Sequence, residues 1–68
     1  MTPDLARRFT YHAPKGDQSD RYVAIRDRAH DLAEFIDEGC PDSREKSLAL
    51  TKLEETVMWA NAAIAHNE

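Results

Sequence analysis

The sequence predicts an all-α protein, an antiparallel hairpin of two long helices preceded by a short N-terminal helix or arm. Two apolar stripes share the same spacing of 3, 4, 3 and 4 residues, which places side chains on one face of a helix. Only a few residues join the two stripes, as in a helical hairpin. The first stripe is Tyr22, Ile25, Ala29, Leu32 and Ile36, and the second is Leu50, Leu53, Val57, Ala60 and Ile64.

Residues 1–18 are predicted to form the N-terminal arm. Pro14 and Gly16 lie in the segment APKGD, which is expected to form a turn because proline and glycine interrupt regular structure. A short helix is expected around Asp4–Arg8, since its acidic first residue suits the positive end of a helix dipole. The rest of the arm is expected to be loop.

Residues 19–68 are predicted to form the hairpin, so that arm and hairpin make a single domain. Its first helix is expected over residues 19–38. Asp17 or Ser19 can cap the start of that helix. Gly39 is expected to end it, because glycine readily adopts the left-handed conformation of a helix stop.

Residues 39–43 are predicted to connect the two long helices. The second helix is then expected from about Ser43 to about Ala65. Asp42 is the predicted N-cap, since Glu45 follows three residues later as in a capping box.

The size of the chain indicates that it associates with itself. A chain of 68 residues buries a small fraction of its surface, and small domains usually need disulfides, a metal or partner subunits. Cys40 is the only cysteine, and the histidines lie far from it and from one another, so neither an internal disulfide nor a metal is predicted. Large apolar residues off the stripes are left for subunit contacts, namely Phe35, Leu48, Met58 and Trp59.

The charge and hydropathy of the chain exclude several classes of function. A net charge of −4 argues against binding to DNA or RNA polymers, which requires many phosphate contacts. No apolar run has the length of a membrane span, and the first residues lack the apolar core of a signal peptide. We therefore expect a soluble intracellular protein.

One segment departs from the acidic character of the chain. From Leu5 to Gly16 there is no acidic residue, but there are Arg7, Arg8 and Lys15. In one interpretation this basic window is an arm whose cations pair with acidic helices of the same or a neighbouring subunit.

In a second interpretation the basic window is a ligand clamp. Tyr11 offers a flat face on which an unpaired base can stack, and a Pro-Gly turn lets backbone amides approach an anion. Cationic side chains can donate charge-assisted hydrogen bonds to phosphate. The candidates for that role are Arg7, Arg8, Lys15 and Arg26. Taken by itself, Arg26 also fits a solvated side chain that is paired with an acidic residue.

Nothing in the sequence indicates catalysis. No nucleophile is accompanied by an obvious base and orienting acid. Thr56 and Asn61 lie beside the second stripe, where polar residues can fix the register of a subunit contact. His66 and Asn67 end the second helix, where capping is the ordinary explanation.

Three segments resemble a known phage family when they are taken together. They are FTYHAPKGDQ (Phe9–Gln18), RYVAIRDRA (Arg21–Ala29) and CPDSREKSLALTKLEETVMWANAAIA (Cys40–Ala65). The combination resembles the anti-CBASS cyclic-oligonucleotide sponges known as anti-CBASS protein two, and the hairpin is similar to that of an anti-Thoeris sponge. The resemblance implies a homohexamer in the cytoplasm of the infected bacterial host. Such a sponge sequesters the cyclic nucleotide messengers of CBASS defence without cleaving them, and it needs no cofactor.

The resemblance also implies a site for cyclic dinucleotides such as cyclic GMP–AMP, formed between pairs of subunits. Tyr11 corresponds to the tyrosine that stacks on a base. Arg26 corresponds to the basic residue of the first long helix that contacts phosphate. His12 and Lys15 are expected to line the same pocket.

A separate site for cyclic trinucleotides is implied where three subunits meet. Asn61 is expected there, together with Thr56 and Ala60. His66 stands where the family has an arginine that binds phosphate, and a neutral histidine is a poorer phosphate ligand than arginine. We therefore expect weaker trinucleotide binding that tightens as pH falls from about 8 to about 6.

A second class of function remains open. A small helical interaction module could use Met58 and Trp59 to hold a protein partner. The basic window favours the sponge, since a hairpin that only binds proteins has no need of it.

Overall fold

Two long helices lie side by side in the computed structural model, which describes residues 2–68. The helices are α1 (Pro3–Phe9), α2 (Gln18–Gly39) and α3 (Arg44–Asn67). No β-strand occurs within residues 2–68, and α2 packs on α3 as an antiparallel hairpin, so the predicted all-α class is confirmed. Residue 1 of the predicted arm lies outside the described residues.

Helix α1 is the short arm helix that the sequence predicts. The Oγ1 of Thr2 accepts a hydrogen bond from the backbone N–H of Leu5 at 3.2 Å and caps the helix start. Asp4 in the first turn forms ion pairs with Arg7 at 2.8 Å and Arg8 at 3.7 Å. Part of the charge of the basic window is therefore compensated within the arm.

Helix α2 begins and ends differently from the prediction. It begins at Gln18, and Asp17 is its N-cap by position without a capping hydrogen bond from its side chain. Gly39 belongs to the helix and is not left-handed, because among residues 2–68 only Gly16 has a positive φ, of 57°. The helix thus ends at Gly39, one residue later than predicted, and the predicted left-handed conformation of this glycine is wrong. Cys40 is extended instead, as expected for a residue that precedes a proline, here Pro41.

Helix α3 is capped one residue later than predicted. Ser43, and not Asp42, is the N-cap, since its Oγ accepts from the backbone N–H of Lys46 at 3.1 Å. The carboxylate of Asp42 instead accepts from the ammonium group of Lys46 at 2.9 Å. The predicted capping box is therefore wrong, because the acidic residue is engaged by a side-chain cation.

Ion pairs hold both ends of the hairpin. At the turn end, where α2 leads into α3, Lys46 Nζ donates to the carbonyl oxygen of Asp37 at 2.7 Å. At the arm end, where α2 begins and α3 ends, Arg21 Nη1 donates to Glu68 Oε2 at 2.8 Å. Lys46 Nζ also lies 3.1 Å from the Asp37 carboxylate. We call these contacts of Lys46 and of Arg21 the two clamps, and both join α2 to α3.

The contact between α2 and α3 follows the predicted stripes with one exception. Leu32 remains 48% exposed, and Ala33 beside it is half-buried in its place. No apolar side chain within residues 2–68 is fully buried, and large ones remain exposed. The most exposed include Phe9, Phe35, Met58 and Trp59. The fold therefore leaves room for the predicted subunit contacts, which stay a prediction.

Candidate functional site

The N-terminal arm lies against the arm end of the hairpin. The imidazole rings of His12 and His66 have centroids 5.2 Å apart and are tilted by 60°. The backbone N–H of Lys15 donates to Gln18 Oε1 at the start of α2, at 3.1 Å. The basic window therefore lies next to the last turn of α3.

Tyr11 and Lys15 lie on the loop between α1 and α2. The side chain of Tyr11 is 83% exposed, so its ring offers a face for stacking. Lys15 is exposed, and its charge contributes a small part to the lowering of the Glu68 pKa to about 2. Hydrogen bonds from Arg21 and then from Gln18 are the main causes of that lowering.

His12 holds the loop to the helix before it. Its Nε2 lies 2.8 Å from the carbonyl oxygen of Arg7, so an Nε2–H there donates to a backbone acceptor. One face of the ring is near His66. This histidine therefore shapes the loop, and one of its two nitrogens is already occupied.

Arg26 lies in an open groove between α2 and α3 at some distance along α2 from the loop. An exposed guanidinium at this position can reach an anion that enters the groove. Asn61 shares this groove, so the structure brings together one residue predicted for each nucleotide site. Tyr11 is not part of its lining. The groove is lined by Tyr22, Arg26, Asn61, Ala62 and Ala65.

Three buried polar atoms have no hydrogen-bond partner among residues 2–68. They are Nε of Arg21, Oδ1 of Asn61 and Nδ1 of His66. An unsatisfied buried polar atom is uncommon, and an external partner is one explanation for it. Asn61 and His66 belong to the predicted trinucleotide site, whereas Arg21 does not.

The four residues predicted for the trinucleotide site do not share one face of α3. A helix turns by about 100° per residue, so Asn61 and His66 lie on different sides of it. Ala60 is half-buried against α2. Thr56 is exposed, and its hydroxyl donates to the carbonyl oxygen of Lys52 at 2.8 Å.

A second groove between the arm and α3 was not predicted. Trp59 and His66 line it from α3, while Arg8 lies 5.8 Å from the ring centre of Phe9 on the arm side. Cations beside aromatic rings suit a ligand that has both phosphates and bases. The sequence carries the signal, because Trp59, Ala62 and His66 are spaced by 3 and 4 residues and form a further stripe on α3. The arm groove is lined by Arg7, Arg8, Phe9, Trp59, Ala62, Ala63, His66 and Asn67.

Within residues 2–68, no three His, Cys, Asp or Glu side chains are grouped as metal ligands. Over the same residues, none of the helices has the length and apolarity that crossing a membrane requires.

The arm end combines cations with exposed aromatic rings, and these make it the candidate site.

Comparison with known proteins gives one match. The family model described as the Acb2/Tad1 hairpin domain matches residues 1–65 of the chain. Neither a curated protein nor a solved structure matches significantly. The matched range includes the arm, α2 and nearly all of α3.

Proposed function

The chain belongs to the Acb2/Tad1 hairpin-domain family, and we propose that it is a phage sponge for cyclic di- and trinucleotide messengers. It sequesters these messengers without cleaving them and so blocks CBASS defence in the cytoplasm of the infected host. The observation that carries this proposal is the family match, which extends over the arm as well as both hairpin helices. Family membership implies a sponge for cyclic nucleotides, and the residues of the arm end support the finer assignment.

The exposed face of Tyr11 supports a dinucleotide site. A cyclic dinucleotide has two bases for stacking and two phosphates that need cations. Tyr11 stacks on a base, Arg26 contacts a phosphate, and Lys15 and His12 line the pocket. Because Tyr11 does not line the Arg26 groove of its own subunit, the pocket combines residues of two subunits.

The unpartnered atoms of Asn61 and His66 support a trinucleotide site. Each has a polar atom without a partner among residues 2–68, and the two side chains lie on different sides of α3. A ligand therefore meets them from different subunits, and Thr56 and Ala60 complete the proposed site. This requires association, for which we propose a homohexamer.

The assembly is tested by analytical ultracentrifugation. We expect an oligomer well above the mass of a dimer at micromolar concentration, because no apolar side chain within residues 2–68 is fully buried in the single chain. A stable monomer at that concentration would rule out the hexamer and the shared pockets.

The function is tested by uptake and release. The purified protein is mixed with cyclic GMP–AMP, freed of unbound nucleotide, heated and filtered, and the filtrate is analysed by chromatography. Intact nucleotide in the filtrate supports a sponge, and a cleaved product indicates an enzyme. Arg26→Ala should take up less nucleotide, because it loses a charge-assisted contact to phosphate. Lys52→Ala is its matched control and should take up as much as the wild type, since the Lys52 side chain is an exposed cation on α3, at 71% exposure.

No uptake of any cyclic nucleotide would favour the second candidate, a helical interaction module. Met58 and Trp59, at 68% and 69% exposure, support that alternative, because a protein partner can cover them. The same two side chains also fit subunit contacts in the proposed hexamer. The exposure of Met58 and Trp59 therefore does not separate the two functions. The uptake experiment does.

A further inference from the structure

Gln18 is the one fully buried residue within residues 2–68, with 5% of its surface exposed. Its side chain accepts one hydrogen bond and donates another. Oε1 accepts from the backbone N–H of Lys15 at 3.1 Å, and Nε2 donates to Glu68 Oε1 at 3.2 Å. An amide side chain supplies this combination of acceptor and donor, and a carboxylate in its place would lack the donor.

Glu68 is itself held firmly. Both guanidinium Nη atoms of Arg21 donate to its two carboxylate oxygens, in a fork that matches the carboxylate geometry. These hydrogen bonds keep Glu68 ionised, so it accepts from Gln18 at any physiological pH. We call Gln18, Arg21 and Glu68 the Glu68 clasp.

The loop of residues 10–17 has few other constraints. It has no regular structure up to Lys15, and Gly16 adopts a positive φ of 57°. Asp17 at the end of the loop forms an ion pair with Arg21 at 3.2 Å. Between Thr10 and Gly16, the loop is linked to the hairpin by the contacts of His12 and by the bond from the Lys15 N–H to Gln18. An unrestrained loop would have to be ordered when a ligand binds, which lowers affinity.

We propose that Gln18 and Glu68 are positioning residues for the nucleotide-binding loop. The clasp anchors the Lys15 backbone to the end of α3 and thereby holds Tyr11 and Lys15 in the conformation that the ligand meets. The ligand in this proposal is the cyclic dinucleotide of the proposed function, on which this part rests. The anchoring itself does not depend on any ligand.

A purely structural role is the competing explanation, since Arg21 and Glu68 also join α2 to α3. Lys46 at the turn end supplies the matched control, because it joins the same two helices and does not contact the loop. Gln18→Met removes both hydrogen bonds at nearly constant size. Lys46→Met removes a clamp of the hairpin and leaves the loop anchored.

Two measurements are made on the wild type and both variants. Hydrogen exchange of the Lys15 amide reports the anchoring, and calorimetry with cyclic GMP–AMP reports affinity. In Gln18→Met we expect the amide to exchange roughly tenfold faster and the affinity to fall roughly three- to tenfold, in line with the loss of one or two net hydrogen bonds. In Lys46→Met both values stay close to the wild type.

The outcomes separate the two proposals. Unchanged Lys15 exchange in Gln18→Met would overturn the anchoring, and an equal loss of affinity in both variants would overturn the positioning role. If the wild type takes up no cyclic nucleotide, the proposed function fails, and Lys15 exchange alone decides whether Gln18 anchors the loop. If Gln18→Met does not fold, Glu68→Ala replaces it, because alanine removes the oxygen that accepts from Gln18 Nε2. Faster Lys15 exchange is again the expected result.

Discussion

The turn end and the arm end of the hairpin are both held by a cation between acceptors, but the two clamps differ in reach. At the turn end, Lys46 contacts Asp37 and Asp42, and its farthest partner is nine residues away. At the arm end, Arg21 contacts Glu68, which is 47 residues away. The first clamp closes a local turn, and the second joins the start of α2 to the end of α3.

The surroundings of the two clamps differ as well. The loop with Tyr11 and the contact of His12 with His66 all lie at the arm end. At the turn end, the Lys46 side chain is 10% exposed and simply satisfies the carboxylates and carbonyl around the connection. We conclude that changes at the turn end should alter stability alone, whereas changes at the arm end should alter ligand binding.

The largest effect is expected for Tyr11→Ala at the arm end. Loss of a stacking face is worth about 1–3 kcal/mol per base, so cyclic GMP–AMP should bind about 5- to 150-fold more weakly in calorimetry. Tyr11→Phe keeps the ring and should bind nearly as well as the wild type. Equal affinity of the alanine variant and the wild type would show that the pocket lies elsewhere.

A smaller but distinctive effect is expected for His66→Arg. Charge-assisted hydrogen bonds are about 1 kcal/mol stronger than neutral ones, so a cyclic trinucleotide should bind several-fold more tightly. Arginine can also hold a phosphate through two parallel hydrogen bonds, which histidine cannot. Calorimetry with a cyclic trinucleotide on the wild type and the variant measures this.

His66 contacts His12 of the arm, so it has a structural role even if it binds no trinucleotide. If the arginine does not improve trinucleotide affinity, then His66 faces only the arm groove. Cyclic GMP–AMP affinity is the internal control, and it should stay the same in His66→Arg.

The hairpin could be predicted from the sequence because helical periodicity is repeated over several turns. Errors arose where neighbouring residues compete for one role. Ala33 replaces Leu32 in the contact with α3, and Ser43 caps α3 because Lys46 engages Asp42. Such choices depend on side-chain partners that a spacing pattern does not encode.

The candidate site was predicted only in part. The residue types alone made Tyr11 and Arg26 candidates in one of two open interpretations, and the resemblance to a family favoured that interpretation. The bond between Gln18 and Glu68 joins residues 50 positions apart without any pattern that links them. Trp59 was assigned to subunit contacts, although its spacing from His66 indicates a common face with the arm.

At the turn end, Lys46→Met should lower stability without changing ligand affinity. The variant loses the bond to the Asp37 carbonyl and the ion pair with Asp42 together. We expect the melting temperature to fall by a few degrees in thermal denaturation. A loss of cyclic GMP–AMP affinity in this variant would mean that the two ends are not independent.

The smallest effect is the pH dependence of stability that comes from Glu68. The hydrogen bonds from Arg21 and Gln18 lower the pKa of Glu68 from 4.5 to about 2 in the folded chain. A carboxyl with a lowered pKa stabilises the fold fully above its unfolded pKa, and this stabilisation is lost as pH falls from about 4.5 towards about 2.

Glu68→Gln removes this contribution. Asp42, whose pKa Lys46 also lowers, contributes a similar dependence at the turn end, and it remains in the variant. The difference in melting temperature between the wild type and Glu68→Gln should therefore shrink across this pH range. A difference that stays constant from pH 6 to pH 2 would mean that the ionised carboxylate does not hold the arm end together.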